Sequence, residues 1–332
     1  MPEFRKDPAT RRWIIISSER AKRPQAGIGH ASEQPTRCPF CAGNEEDTPP
    51  EVLAYRDRNT PADRPGWSVR VVPNKYPALA PDSTAIDRSG GFYEMRAGSG
   101  VHEVIIETPE HVLNTHSLDE RQLAAVLRAY RDRMLHLAAD KRWRYLLVYK
   151  NEGRDAGATL EHVHSQLIAL PHVPTEVLDE IRAARRYHRT NSGCLYCAII
   201  KKETGEGARI VSESERFVVL CPFAPRFPFE TWILPKIHAA CFERCSDQDY
   251  EELARCLRQT LTGLHRRLEK VPFNYIIHSA PTSKSSHPYY HWHMEILPKL
   301  GRAAGFEWGS GSFMNPIAPE EAARLLRQKG KG

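Results

Sequence analysis

"HVHSQLIAL", residues 162–170, decides how this chain is read. In a strand, alternate side chains leave the same face, so His162, His164 and Gln166 project together while Val163, Ser165 and Leu167 project the other way. Two imidazoles and an amide in a row, inside an apolar segment, are donors in search of a partner. A metal, a nucleophile with its helper, and a hydrogen-bonded core are the three uses such a row has.

Working outward, the same plan occurs twice. "HWHMEILP" at 291–298 answers "HVHSQLIAL". Upstream of each stand a C-x-x-C (Cys38 and Cys41, then Cys194 and Cys197), a short strand (67–77, then 216–228) and a ten-residue strand ending in histidine. These strands are "HEVIIETPEH", ending in His111, and "FETWILPKIH", ending in His238. A long amphipathic helix follows each. Ser117 and Glu120 stand in capping-box spacing before the first, and Ser246 and Asp249 open the second. "WRYLLVYKN" and "FNYIIHSAP" then lead into the two H-x-H strands.

The expected fold is α+β: duplicated units, each an antiparallel half-barrel sheet with a helix packed on it. The expected halves are 1–172, carrying the nucleophile, and 173–332. The tail from 299 lies outside the repeat and ends in a helix from Pro319 to Gln328. Residues 79–100, rich in Pro, Gly, Ser and Asp, read as loop.

Composition narrows the class. The 332 residues are 41% hydrophobic and 27% charged, ordinary for a soluble domain with a full core. The formal charge of +6 is spread along the chain, which suits anionic ligands and argues against a nucleic-acid stripe. No apolar run has the length of a membrane span, and the start has no apolar signal region, so a cytoplasmic location with no membrane partner is expected. Paired C-x-x-C motifs in such a chain point to metal before disulfide.

Each half offers one Cys₂His₂ set in the same chain order: Cys38, Cys41, His111 and His162, then Cys194, Cys197, His238 and His291. Tetrahedral zinc takes such ligands, so two zinc ions per chain are expected. The second site has a rival set, Glu180, His278 and His293, whose carboxylate-plus-imidazole chemistry suits iron or zinc. The remaining histidines, His102, His116 and His287 among them, read as surface or hydrogen-bonded residues.

If His162 binds metal, His164 is left over. A neutral imidazole attacks phosphorus, and Gln166 can donate to a phosphoryl oxygen. The loop before it, "KNEGRDAGATL" (150–160), has glycines for close backbone approach and donors in Lys150, Asn151 and Thr159. Arg20 and Arg23 add charge suited to phosphate. His293 has neither the glutamine nor the loop, so the second half reads as scaffold.

On these residues the chain resembles the galactose-1-phosphate uridylyltransferase family of the histidine-triad superfamily. The resemblance rests on "RAKRP", "CPFC", "NKYPAL", the H-x-H-x-Q strand, "CLYC", "PFETWILPKIH", "HWH" and "GFEWGSG", which span nearly the whole chain. It implies ping-pong transfer of UMP from UDP-glucose to a hexose 1-phosphate such as galactose 1-phosphate, through a nucleotidyl-histidine on His164 stabilised by Gln166. It implies that Arg20, Arg23, Asn74, Asn151 and the backbone of Gly157, Ala158, Thr159 and Leu160 line the nucleotide and phosphate site, and that Glu307 holds sugar hydroxyls. It further implies structural metals, a nucleotide sugar and a sugar 1-phosphate as partners, and a homodimer.

Val163 stands where the best-known bacterial members have proline. "CLYC" with His238 looks closer to the plant ADP-glucose phosphorylase branch. The alternative is therefore an ADP-glucose phosphorylase or adenylyltransferase with phosphate as acceptor.

Overall fold

The computed structural model describes residues 1–18, 20, 37–83, 87–88, 90–282 and 287–328. Its centre is one ten-stranded antiparallel sheet. The strands from the first repeat are β3 (Leu53–Arg56), β4 (Trp67–Pro73), β6 (Val101–Ile106), β7 (Tyr145–Glu152) and β8 (His164–Leu170). Those from the second are β9 (Ile210–Glu213), β10 (Phe217–Leu220), β11 (Thr231–Pro235), β12 (Phe273–His278) and β13 (His293–Pro298). Their order across the sheet is β3-β4-β6-β8-β7-β12-β13-β11-β10-β9. That order reads the same from either edge once β7 is matched with β12 and β8 with β13. The duplicated α+β unit is thus visible as two five-stranded halves, joined where β7 pairs with β12.

One long helix interrupts each half at the same point: α1 (Glu120–Ala138) between β6 and β7, and α4 (Asp247–Leu268) between β11 and β12. Both lie on one face of the sheet and pack against each other. Leu123, Leu127, Tyr130, Met134 and Leu137 bury one stripe of α1, and Tyr250, Leu253, Leu257, Leu261 and Leu264 bury the matching stripe of α4. Three- and four-residue spacing is what puts these side chains on one face. Each fully buried leucine stabilises by about 1.5–3 kcal/mol.

α4 begins at the expected capping box, Ser246 with Asp249. α1 does not begin at Ser117. Asp119 is its N-cap, accepting from the Gln122 amide, and residues 115–117 form a short 3-10 turn. Asp competes well with Ser at this position because its carboxylate also meets the positive end of the helix dipole.

The opposite face is covered by a three-stranded sheet, β2 (Trp13–Ile16), β1 (Glu3–Lys6) and β5 (Glu94–Ala97), and by α2 (Thr175–Asn191). β5 falls inside the segment expected to be loop. Its EMRA sequence carries little hydrophobic signal, and its ladder partner is the distant β1. α3 (Leu195–Glu206) opens on the second C-x-x-C, with Cys194 as its N-cap and Cys197 in its first turn. The tail adds α5 (Gly305–Ser310) and α6 (Pro319–Arg327).

Candidate active site

Sheet alternation sorts the central strands. Leu146, Val148 and Leu167 face α1 and α4, while Tyr145 and Leu170 face the other layer. Ser165 follows the first set, since the Tyr130 hydroxyl of α1 is hydrogen-bonded with its Oγ at 2.7 Å. His164 and Gln166 therefore lie on the face opposite the long helices. The chain bends at His162, just before β8 begins at His164, and the Val163 N–H is bonded to the Val112 carbonyl at 2.9 Å.

His162 is fully buried and belongs to a cluster with Cys38, Cys41 and His111. Its Nδ1 lies 3.6 Å from Cys38 Sγ and 3.7 Å from Cys41 Sγ, and His111 Nδ1 lies 3.4 Å from Cys41 Sγ. Ligands at zinc bond lengths around a tetrahedron stand about 3.5 Å apart. His162 Nε2 is 2.9 Å from the Thr108 carbonyl. A carbonyl only accepts, so Nε2 carries the hydrogen and the Nδ1 lone pair faces the cysteines. The second cluster repeats this with Cys194, Cys197, His238 and His291. His291 Nδ1 is 3.9 and 3.6 Å from the two sulfurs, His238 Nδ1 is 3.6 Å from Cys197, and His291 Nε2 donates to the Pro235 carbonyl at 2.9 Å. Burial and the neighbouring cysteine push the Cys41 thiol up to about 11 and the Cys197 thiol up to about 12. A bound divalent cation reverses that and holds both as thiolates. Both sets fit zinc. The ion would tie the C-x-x-C segment to the stretch that follows one strand and the stretch that precedes another.

Glu180, His278 and His293 also lie within ligand distance of one another. His278 Nδ1 faces Glu180 at 3.1 Å, and its Nε2 faces Glu295 at 3.6 Å. Burial pushes this imidazole down, but the two carboxylates outweigh it and hold it up at about 10. As arranged, the group is an internally balanced charge cluster.

His164 is separate from the metal cluster. Its Nδ1 donates to the His162 carbonyl at 2.7 Å, which leaves Nε2 as the lone-pair nitrogen. Burial pushes its imidazole down to about 4, so it is neutral at physiological pH. The neutral state follows first from desolvation. Phe40, inside the first C-x-x-C, packs edge-on to its ring at 5.2 Å.

Gln166 is nearly buried, and its Oε1 lies 2.9 Å from His102 Nε2 and accepts from the Tyr149 hydroxyl at 3.0 Å. Asn74 lies in the same cluster, its Nδ2 3.2 Å from His102 Nε2. Asn151 accepts from Asn274 on β12 at 2.8 Å. Its Nδ2 stands beside Gly157, where an added Cβ would meet it at 3.5 Å. Ala158 is buried, Thr159 is exposed, and Leu160 packs against the cluster around Phe40.

Lys150 does not reach for phosphate as the sequence suggested. It faces α1, is 1% exposed, and donates to Glu107 at 2.7 Å and to the His164 carbonyl at 3.2 Å. The β7–β8 ladder stops at Tyr149 and Gln166, and the ammonium fills the place where the strands part. Arg20 is described, but none of the contacts of the described residues joins it to His164; Arg23 lies outside the described residues. Glu307 accepts from the Ala304 and Met314 amides at 2.9 and 3.4 Å, so its carboxylate caps its own helix and does not join the His164 cluster.

A cavity of about 810 Å³ lies beside His238, Cys241, Arg244 and Cys245, away from His164. Burial pushes both of its thiols up to about 12, so neither is a nucleophile.

Comparison with known proteins agrees with this geometry. The family model "Galactose-1-phosphate uridyl transferase, N-terminal domain" matches residues 1–174, and its C-terminal counterpart matches 180–307. The chain belongs to the galactose-1-phosphate uridyl transferase family. Within that family it is 35% identical to the ADP-glucose phosphorylase of Arabidopsis thaliana, over 98% of this chain and 93% of that protein. It is 30% identical to the galactose-1-phosphate uridylyltransferase of Thermotoga maritima, over 99% and 98%. A crystal structure of the Arabidopsis ADP-glucose phosphorylase with bound ADP-glucose superposes with a TM-score of 0.78 at 34% identity, covering 100% of both chains. A solved uridylyltransferase superposes with a TM-score of 0.83 at 30% identity, covering 98% and 97%. The chain is an enzyme of this nucleotidyltransferase type.

The second half of this chain repeats the H-x-H arrangement, and the place that answers His164 is filled in. His293 Nδ1 bonds the His291 carbonyl at 3.1 Å, as His164 bonds His162. The His293 ring is stacked against His278 and Tyr196, with Trp232 beside it, and is 1% exposed. Glu295 stands where Gln166 stands in the first half and pairs with Arg226. A carboxylate there repels phosphate. His102, Tyr149 and Phe40 were the residues sequence reasoning missed. The visible signal for Phe40 was its place inside the metal knuckle.

Proposed function

We propose that the protein moves a nucleotidyl group from a nucleoside diphosphate glucose through a covalent nucleotidyl-His164. His164 Nε2 attacks the α-phosphorus. The N–P bond forms, the bond to the bridging oxygen breaks, and glucose 1-phosphate leaves with the electron pair. An oxygen of the acceptor then attacks the same phosphorus and frees the imidazole. Gln166 donates its amide N–H to the phosphoryl oxygen that gains charge. Asn151, Asn74 and the backbone of Gly157–Leu160 cradle the nucleotide and phosphates, with Arg20 and Arg23 supplying charge. Glu307 is assigned to sugar hydroxyls, which requires release of its cap. Zinc, when bound, holds the C-x-x-C turn against the strand that carries the nucleophile.

The observation that carries this reading is the neutral, oriented His164 with Gln166 one step along the same face. Two donors remain in play. ADP-glucose, with phosphate as acceptor, is favoured by the higher identity to the plant enzyme and by the second Cys₂His₂ set, the feature that looked closer to that branch. UDP-glucose, with a hexose 1-phosphate as acceptor, rests on the likeness to the Thermotoga enzyme. Incubation with each donor separately, followed by intact mass, tests both. A gain of AMP or UMP mass, absent in His164→Ala, names the base. No gain from either removes the transfer reading.

A further inference from the structure

We propose that His102 is a positioning residue that fixes which way the Gln166 amide points; the proposal rests on the phosphoryl-donor role assigned to Gln166 above. His102 lies on β6, opposite Ile168 of β8 and diagonal to Gln166. Diagonal neighbours on one sheet face are within reach of long and aromatic side chains. The ring is 4% exposed.

Its protonation pattern follows from its contacts. The Ala78 backbone N–H donates to Nδ1 at 3.1 Å. A backbone amide nitrogen is only a donor, so Nδ1 carries the lone pair and the neutral ring carries its hydrogen on Nε2. That Nε2–H lies 2.9 Å from Gln166 Oε1 and donates to it. The Tyr149 hydroxyl donates to the same oxygen at 3.0 Å. A carboxamide oxygen has two lone pairs, and both are now taken. The amide NH₂ must therefore face away from His102 and Tyr149, and none of the described hydrogen bonds uses it. Reversing the amide would set two N–H donors head to head.

The loop that holds His102 is the "NKYPAL" stretch, 74–79, which the nucleophile and its metal did not explain. Asn74 N–H bonds the His102 carbonyl at 2.8 Å, and Ala78 N–H bonds its ring. Asn74 Oδ1 accepts from the Tyr76 amide at 2.9 Å, which turns Asn74 Nδ2 toward His102 Nε2 at 3.2 Å. Both nitrogens carry hydrogen, so this is a packing contact. The chain of causes runs from loop backbone to imidazole, to amide oxygen, to the N–H presented to phosphate. Leucine at 102 removes the donor and leaves the Gln166 amide free to rotate. Glutamine at 102 restores a donor and an acceptor.

The test compares His102→Leu, His102→Gln, Tyr149→Phe, Gln166→Ala and the double variant His102→Leu/Gln166→Ala. Single-turnover adduct formation is followed by intact mass with ADP-glucose and UDP-glucose, and donor affinity by calorimetry. Loss of a fixed donor to a developing oxyanion costs about 10²–10³ in rate. His102→Leu, which only releases that donor, is expected to slow adduct formation about tenfold or more, with affinity changed less than threefold. His102→Gln recovers most of the rate, and Tyr149→Phe gives a smaller loss of the same kind. In the Gln166→Ala background, His102→Leu adds nothing. An equal slowing in that background, or an unchanged rate in His102→Leu, overturns the proposal. If the wild type forms no adduct, the nucleophile reading is what fails. The ¹⁵N spectrum of the free protein then decides alone: His102 must show the neutral Nε2–H tautomer, and His102→Leu must move the Gln166 side-chain amide signals. Absence of either overturns the assignment.

Discussion

The carbonyl oxygen of His162 accepts the Nδ1 hydrogen of His164 at 2.7 Å. One hydrogen bond thereby selects the tautomer of His164 and aims its other nitrogen. The two histidines of the motif have opposite tautomers. His162 offers Nδ1 to its cysteines because Nε2 is committed to Thr108, and His164 offers Nε2 because Nδ1 is committed to His162.

Replacing His164 by asparagine keeps a donor for the His162 carbonyl and removes the nucleophile. The variant is expected to unfold within about 1–2 kcal/mol of wild type in urea, in the range of a tolerated buried substitution. It is expected to form no nucleotidyl adduct. An adduct of normal stoichiometry in this variant places the nucleophile elsewhere.

The two metal sets differ in what they support. The first includes His162, whose carbonyl holds His164; the second includes His291, whose carbonyl holds His293. Cys41→Ser is expected to lower both metal content and adduct rate. Cys197→Ser is expected to lower metal content and thermal stability while the adduct rate stays within about threefold, because the strand its set supports, β13, is assigned no role in the transfer. Elemental analysis of the two variants beside single-turnover rates checks this. Equal rate losses in both contradict it.

Lys150 and Glu107 are both almost fully buried, and the Tyr130 hydroxyl lies 3.2 Å from the same carboxylate and 2.6 Å from the Tyr275 hydroxyl of the second half. Removing one charge strands the other. Lys150→Met alone is expected to cost about 3–5 kcal/mol in urea unfolding, and Lys150→Met with Glu107→Gln considerably less. A single variant no less stable than the double would show that the ammonium is not what offsets the burial of the Glu107 carboxylate.

Much of this was legible in the sequence because both repeats carry the same punctuation. The C-x-x-C turns, the terminal histidines and the H-x-H strands fall in the same order twice, and tetrahedral chemistry then groups them. Lys150 was misread because a lysine in a glycine-rich loop ordinarily faces solvent. Its direction is set by the alternation of β7, which puts Tyr149 toward Gln166 and Lys150 toward α1. His102 was invisible for another reason. Its meaning depends on the β6–β8 register and on a backbone N–H from residue 78, and neither leaves a mark on the residues around it. The palindromic joining of ten strands likewise follows from the β7–β12 pairing, which no local motif announces.

Gly153 and Gly157 frame the loop before the nucleophile, and both have positive φ, +84° and +91°. A side chain in that region costs about 1–2 kcal/mol from backbone sterics alone. The two positions differ in what lies beyond. At Gly153 an added Cβ would come within 2.8 Å of the Pro272 ring, just before β12 of the second half. At Gly157 the nearest atom is the Asn151 amide nitrogen at 3.5 Å, an ordinary contact. Gly153→Ala is therefore expected to be the more destabilising, because it adds a clash with a rigid ring at the junction of the halves. Gly157→Ala is expected to lose about 1–2 kcal/mol and to act mainly on catalysis, by setting a methyl group against the amide assigned to the phosphates. Thermal unfolding and adduct rate, measured on both variants, separate the two effects. If Gly157→Ala proves the less stable protein and keeps the full rate, the loop does not hold phosphate in the way assigned to it.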